Sequence, residues 1–258
     1  MKITILGTGT SQGVPMIACD CHVCASSDSK DKRLRSSIMV SYNGENYVID
    51  SGPDFRQQML RNNVKTLRAV IFTHEHKDHV AGLDDVRGFN FKESRHMEIY
   101  CTERVEEALK REFHYIFSAI QYPGLPRLNI NRITSEKFML PDGLEVQPIE
   151  VQHYVMPVLG YRIGDFAYIT DAKTVVDSEK EKLKGIKTLV VNALHQNEHI
   201  SHFNLQEALM FIEEIKPDFA YLTHISHQFG THEEIEKLLP SNVFAAYDGM
   251  ILNVNRDI

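Results

Sequence analysis

The chain has 258 residues, 43% of them hydrophobic and 24% charged, which is enough apolar material for a sizeable buried core. A formal net charge of −7 argues against a broad nucleic-acid-binding face, although small phosphorylated ligands remain compatible with local basic patches. No apolar run approaches the roughly 18 residues of a membrane span, and Met1–Gly7 is too soon broken by glycine for a signal peptide, so the sequence predicts a cytoplasmic protein.

In chain order, Ile3–Gly7 predicts a first strand, followed by a long irregular stretch through Arg35. Ser37–Tyr42 and Tyr47–Asp50 predict a hairpin turned at Asn43-Gly44. Asp54–Arg61 reads as helical, Arg68–Thr73 as a buried strand, and Glu98–Cys101 as a short strand leading into a helix near Glu103–Phe113. Further strands are expected at Leu144–Val151, Tyr161–Ile163, Phe166–Thr170, Thr188–Asn192, Phe219–Thr223, Val243–Tyr247 and Met250–Val254. Asn204 with Glu207, and Thr231 with Glu234, carry the capping-box spacing that opens a helix. Strands in both halves with helices between them predict an α/β fold of two face-to-face sheets with helices outside. Without a linker or repeat, residues 1–258 read as a single domain.

Chemistry concentrates at Thr73-His74-Glu75-His76-Lys77-Asp78-His79, directly after the apolar run Ala69–Phe72. Imidazole and carboxylate are ligands for borderline divalent metals, and a cluster this dense at a strand end reads as a metal site. On an extended strand His74, His76 and Asp78 would share one face, with a turn bringing His79 to a second metal. His153, Asp171 and His224 each follow an apolar run, the setting that places a side chain at the rim of a sheet. A second signature, Cys19-x-Cys21-x-x-Cys24, supplies three thiolates, one short of a closed tetrahedral site. His227 is the candidate fourth ligand of a structural zinc there. Cys101, at the end of an apolar run, reads as a buried, inert thiol.

On His74-x-His76-x-Asp78-His79, His153, Asp171 and His224, taken in that order, the chain resembles the metallo-β-lactamase-fold hydrolases. The resemblance implies a four-layer αββα sandwich. It gives one metal to His74, His76 and His153 and a second to Asp78, His79 and His224, with Asp171 bridging. Oxygen-reducing di-iron relatives usually carry a carboxylate where His76 stands, and true lactamases a cysteine in the second site, so the ligand set points to a hydrolase.

Gly7-Thr8-Gly9, Gln12-Gly13-Val14-Pro15, the cysteine triplet, Thr223–Phe229, Leu239-Pro240-Ser241 and Tyr247–Met250 narrow the resemblance to the PhnP-type phosphodiesterases of phosphonate breakdown. That implies hydrolysis of a small cyclic phosphodiester such as 5-phosphoribosyl 1,2-cyclic phosphate by hydroxide formed at two divalent metals, zinc or manganese. Asp78 would orient the nucleophile or accept its proton. His202 would act as general acid or stabilise the phosphoryl oxygens, with His199 and His195 as weaker candidates for that task. The resemblance implies a small phosphorylated substrate, neither a membrane nor a nucleic acid as partner, and leaves a homodimer open. A tRNA 3′-processing nuclease, a quinone-cofactor biosynthesis protein and a thioester hydrolase of the same fold are the alternatives. Arg87, Lys92, Arg95 and Arg127 are read as solvated charges or phosphate contacts. The aromatic segment Phe113–Phe117 with Gln121–Gly124 packs in the core, overhangs the site or meets a second subunit.

Overall fold

Residues along most strands alternate between two apolar environments, and that alternation builds the molecule. The computed structural model describes residues 1–119 and 122–254. Gln121 of the aromatic segment lies outside them. The first half runs β1 (Lys2–Gly7), α1 (His22–Ala25), β2 (Ser37–Tyr42), β3 (Glu45–Ile49), α2 (Phe55–Arg61), β4 (Ala69–Ile71), α3 (Lys77–Val80) and α4 (Arg87–Glu93). Next come β5 (Met97–Cys101), α5 (Glu103–Glu112), β6 (Leu128–Arg132), β7 (Phe138–Met139), β8 (Glu145–His153), β9 (Met156–Ile163) and β10 (Phe166–Ile169). The chain continues through α6 (Asp177–Glu181), β11 (Thr188–Asn192), α7 (Leu205–Ile215), β12 (Phe219–Thr223), α8 (His232–Glu236), β13 (Val243–Ala245) and β14 (Ile251–Asn253).

Two seven-stranded sheets result, ordered β14-β1-β2-β3-β4-β5-β6 and β13-β12-β11-β10-β9-β8-β7. Ile38, Val40, Tyr47, Ile49 and Ile71 of the first sheet meet Tyr161, Ile163, Phe166, Tyr168 and Val190 of the second in one buried cluster. The intervening residues Met39, Val48 and Val70 face outward, where Phe55 and Met59 of α2 and Val105 and Leu109 of α5 cover them. Ala167, Ile169, Leu189 and Val191 of the second sheet pack against Ala208, Phe211 and Ile212 of α7. The period of two thus sorts apolar side chains into an inter-sheet core and two helix-covered outer faces, the four-layer αββα sandwich.

Local chemistry places the turns as the sequence predicts. Asn43 and Gly44 both take positive φ, 47° and 82°, as a two-residue hairpin of type I′ requires. Both capping boxes form, Asn204 with Glu207 and Thr231 with Glu234. Several expectations are corrected: the strand expected at Tyr161–Ile163 begins at Met156, and the one expected at Val243–Tyr247 stops at Ala245. The strand before the histidine cluster stops at Ile71, and α3 begins at Lys77 with His76 as its N-cap, so His74, His76 and Asp78 do not line one strand face. Leu128–Arg132, unpredicted, forms the edge strand β6.

The sheets are tied together beside that cluster. The Tyr161 hydroxyl donates to the Phe72 carbonyl (2.5 Å), and the Leu159 amide donates to the Thr73 carbonyl (3.1 Å). Among the described residues no helix is long and apolar enough to cross a membrane.

Candidate metal centre

Seven predicted ligands and His202 converge where the strands of both sheets end. His74 and His76 come from the loop after β4, and Asp78 and His79 from α3. His153 ends β8, while Asp171 and His224 follow β10 and β12. The imidazole centroids of His74 and His79 lie 4.1 Å apart, those of His74 and His76 4.7 Å, and those of His76 and His153 5.2 Å. Donor atoms of Asp78, His79 and His224 lie within 4.8 Å of one another, as do those of His74, His79 and Asp171, and those of His153, Asp171 and His202. Asp171 belongs to two of these groups, and its Oδ2 and Oδ1 lie 3.3 Å from His79 Nε2 and 3.4 Å from His224 Nε2. His76 stands at the exposed edge of the cluster.

Backbone conformation aims these groups. Asp171 and His224 occupy the left-handed region, with φ of 58° and 57°, Asp171 two residues past the end of β10 and His224 directly after β12. Such conformations are uncommon outside glycine, though Asp and His tolerate them better than most, and here they turn the side chains across the sheet edge. Buried Asn192 fixes the Asp171 turn by accepting from the Ala172 amide (2.8 Å) and donating to the Ala172 carbonyl (2.9 Å). Close backbone approach matters as well. A Cβ on Gly52 would lie 2.0 Å from the Asp78 carbonyl oxygen, so only glycine lets α3 settle against the end of β3.

A second set of hydrogen bonds fixes the imidazole tautomers. The Thr73 hydroxyl donates to Asp50 (2.8 Å), so its oxygen accepts from His74 Nδ1 at 2.9 Å. Likewise the Ser36 hydroxyl donates to the Gly9 carbonyl and its oxygen accepts from His224 Nδ1 at 3.2 Å. His153 Nδ1 donates to the Ser201 carbonyl (2.8 Å), and His79 Nδ1 to the buried Asp50 carboxylate (2.7 Å). Four imidazoles therefore direct Nε2 inward, the arrangement that orients histidine toward a metal. The inward Nε2 atoms of His74 and His79 are buried without a hydrogen-bond partner.

Charge completes the fit. Burial, reinforced by neighbouring imidazoles, pushes His74 well below the usual histidine range and lowers His76 and His224, leaving them neutral, as ligands must be. Burial opposes ionisation of Asp78 and Asp171 too, yet the facing histidines hold both carboxyls below their ordinary range. His79 is the exception. Burial disfavours its charged form, but Asp78, Asp171 and Asp50 outweigh that and hold it well above the histidine range. A set of neutral imidazoles around ionised carboxylates, with orphaned inward nitrogens, is chemically suited to divalent cations.

The cysteine signature also assembles. Cys19, Cys21, Cys24 and His227 bring their donor atoms within 4.8 Å of one another, with His227 Nδ1 at 3.3 Å from Cys19 Sγ and 3.4 Å from Cys21 Sγ. The hydrogen bond to His227, then the amide of Cys24, lower the Cys21 thiol to about 6, while burial pushes Cys24 up to about 11. Three sulfurs and one imidazole fit a closed zinc site, which offers no open position to a substrate. Cys101 is fully buried and raised by burial to about 12, an inert thiol as expected.

Other predicted groups are placed elsewhere. Arg87 pairs with Asp84, Arg95 with Glu93, and Arg127 donates to the Asn90 carbonyl (3.0 Å). Lys92 donates to the Lys65 carbonyl (2.8 Å). Phe113 and Ile116 are core residues, with Tyr115 and Phe117 packed against the same cluster. His199 and His195 extend from His202 as a chain of rings, with centroids 5.2 Å and then 5.8 Å apart. Asp50, Ser36, Thr73 and Asn192 carry no signal that singles them out in the sequence. Only the position of Asp50 at a strand end before Ser51-Gly52 hints at its role.

With this geometry in view, the relatives of the chain are informative. A family model for the beta-lactamase superfamily domain matches residues 45–225. A solved diphosphatase of the PhnP family superposes with a TM-score of 0.92 at 38% identity, covering 99% of this chain and 98% of that one. Zinc-bound PqqB from Methylobacterium extorquens shares the fold, with a TM-score of 0.80 at 20% identity over 98% of this chain and 100% of that one. An octanoyltransferase of Porphyromonas gingivalis is 38% identical over 252 residues, 97% of this chain. The chain spans about half (51%) of that relative's length. It has the metallo-β-lactamase fold, belongs to the beta-lactamase superfamily and is related to the PhnP-family diphosphatase.

Proposed function

We propose that this chain is a binuclear metal-dependent phosphodiesterase that opens a small cyclic phosphodiester such as 5-phosphoribosyl 1,2-cyclic phosphate. The observation that carries this reading is Asp171, which lies between two groups of inward donors and also faces His202, whose buried Nδ1 is 3.7 Å from Asp171 Oδ1 and without a hydrogen-bond partner. His74, His76 and His153 would hold one metal, Asp78, His79 and His224 the other, and Asp171 both. Two divalent metals, zinc or manganese, would supply the acidity that makes water nucleophilic near neutral pH and the charge that offsets the phosphoryl oxygens. Asp78 would orient the nucleophile and receive its proton.

Burial, then the neighbouring His224, lowers His202 to about 2, which favours a neutral imidazole that would hydrogen-bond a phosphoryl oxygen over a general acid. A departing sugar oxygen would then need its proton from solvent. The same point favours a second reading, hydrolysis of a diphosphate, because a phosphate leaving group needs no such proton. The 38% identity to a PhnP-family diphosphatase supports it independently. Octanoyl transfer is named for a relative of which this chain spans about half, and it is not carried over to this chain. Cys101 is buried and un-ionised, and the other three thiols gather around His227. We read that gathering as a structural zinc site joining the N-terminal loop to the segment after β12.

Phosphorus NMR of manganese-reconstituted protein with the cyclic phosphate and, separately, a nucleoside diphosphate tests the proposal. Ring opening to a monoester supports the first reading, and cleavage of the diphosphate alone supports the second. Turnover of neither by protein holding two metals per chain at the hydrolytic site refutes both.

A further inference from the structure

Tyr154 and Val155 form the two-residue tip between β8 and β9, where His153 pairs with Met156. Such a tip calls for Gly, Asn or Asp at positions of positive φ, yet Tyr154 sits there at φ 58°. A bulky residue held in a conformation it disfavours, beside a reactive centre, points to a use for its side chain. Tyr154 is 58% exposed, Val155 77%, and Ile200 on the neighbouring loop 65%. Among the described residues, the Tyr154 ring meets no other aromatic ring and its hydroxyl has no hydrogen-bond partner.

The tip and the loop meet at the metal centre. His153 Nδ1 donates to the Ser201 carbonyl, and the His153 and His202 rings are 4.5 Å apart. All three exposed apolar residues therefore lie within two positions of a site histidine. Cations beside the site are meanwhile occupied. Lys77 pairs with Glu112, Arg104 with Glu75 (2.5 Å), Arg35 with Asp54 (3.2 Å) and Lys173 with Glu207 (2.6 Å). These leave an apolar, aromatic lip, rather than a second anion pocket, to receive the rest of the substrate.

We propose that Tyr154, flanked by Val155 and Ile200, binds a flat organic group carried by the phosphorylated substrate, a purine-like base stacked on the ring. This inference rests on the phosphoryl-hydrolase reading in its diphosphate form, in which a nucleoside diphosphate carries the base that phosphoribosyl cyclic phosphate lacks, and it adds the class of substituent. Base–aromatic stacking of this kind is sequence-tolerant and substantial in water.

Calorimetry on metal-loaded protein, with AMP and ribose 5-phosphate as probes, separates the two levels. Wild type should bind AMP about tenfold more tightly than ribose 5-phosphate, a modest stacking effect. Tyr154→Ala should lose that preference without weakening ribose 5-phosphate, and Tyr154→Phe should keep it. Equal binding of the two probes by wild type, or a preference that survives in Tyr154→Ala, overturns the lip. Sedimentation showing that Tyr154→Ala splits a dimer while the preference stays also overturns it, and makes the tip a subunit contact. Binding of neither probe by protein holding its full metal complement overturns the phosphoryl reading itself, and the lip with it.

Discussion

Asp50→Asn isolates the shell behind the ligands. Asp50 is fully buried and accepts from the Thr73 amide (2.8 Å), the Thr73 hydroxyl (2.8 Å) and His79 Nδ1 (2.7 Å). Asparagine is nearly isosteric and tolerates the left-handed backbone Asp50 adopts at φ 65°, so the main chain has no reason to move. Its amide can face His79 with either oxygen or NH2. If NH2 faces the ring, His79 Nδ1 must accept, Nε2 carries the proton, and the inward lone pair is lost. If oxygen faces it, the tautomer survives but the anionic partner does not. Loss of such a partner typically weakens metal binding about 10–100-fold, or about 1.4–2.8 kcal/mol. Competition against a chromophoric chelator, with metal counted per chain by mass spectrometry, reads this directly. In the metal-free protein the His79 pKa is raised, so its contribution to stability is complete below the unfolded value of about 6.5 and is lost as pH rises through the folded value. The stability gap between wild type and variant should therefore be widest below the histidine range but above the range to which burial raises Asp50, where His79 is charged in both folded and unfolded chains and Asp50 is still ionised, and should narrow as pH rises from there. Wild-type metal affinity in Asp50→Asn, or a gap that widens as pH rises from there, would refute the reasoning.

Three further outcomes follow from the same geometry. His202→Ala should retain its metals and lose about 10²–10³ in turnover on whichever phosphoryl substrate is cleaved, as removal of an oxyanion-type donor does; an unchanged kcat removes His202 from the chemistry. Cys21→Ala should lose one zinc per chain and lower Tm while the hydrolytic metals stay, and normal zinc content with normal melting would refute the structural site. Gly52→Ala places a Cβ 2.0 Å from the Asp78 carbonyl and must push α3 outward. We expect a loss of about 1–3 kcal/mol in stability together with weaker metal binding, measured by denaturant titration and chelator competition.

How much of this was legible in the sequence follows from what each position is chosen for. Thr188–Asn192 and Phe219–Thr223 match their predicted bounds because they are central strands, apolar enough to be read as buried runs. Leu128–Arg132 escaped notice because it lies at a sheet edge, where Asn129 and Asn131 dilute the pattern and hydrogen-bond to Glu98 instead. The ligands were recognisable because few residue types can serve as ligands, so seven of them after strand-like runs are conspicuous. Their disposition was not recognisable. A period of two put His74, His76 and Asp78 on a strand face, whereas the chain leaves β4 at Ile71 and starts α3 six residues later. The supporting shell was less visible still. Ser36, Thr73 and Asn192 are common polar residues, and each acts by accepting or donating to a group that the fold, not the sequence neighbourhood, brings near. Asp171 shows why both levels are needed. Its carboxylate could be inferred from its residue type and place in the chain, but its reach toward His79, His224 and His202 depends on a left-handed turn clamped by Asn192 from the next strand.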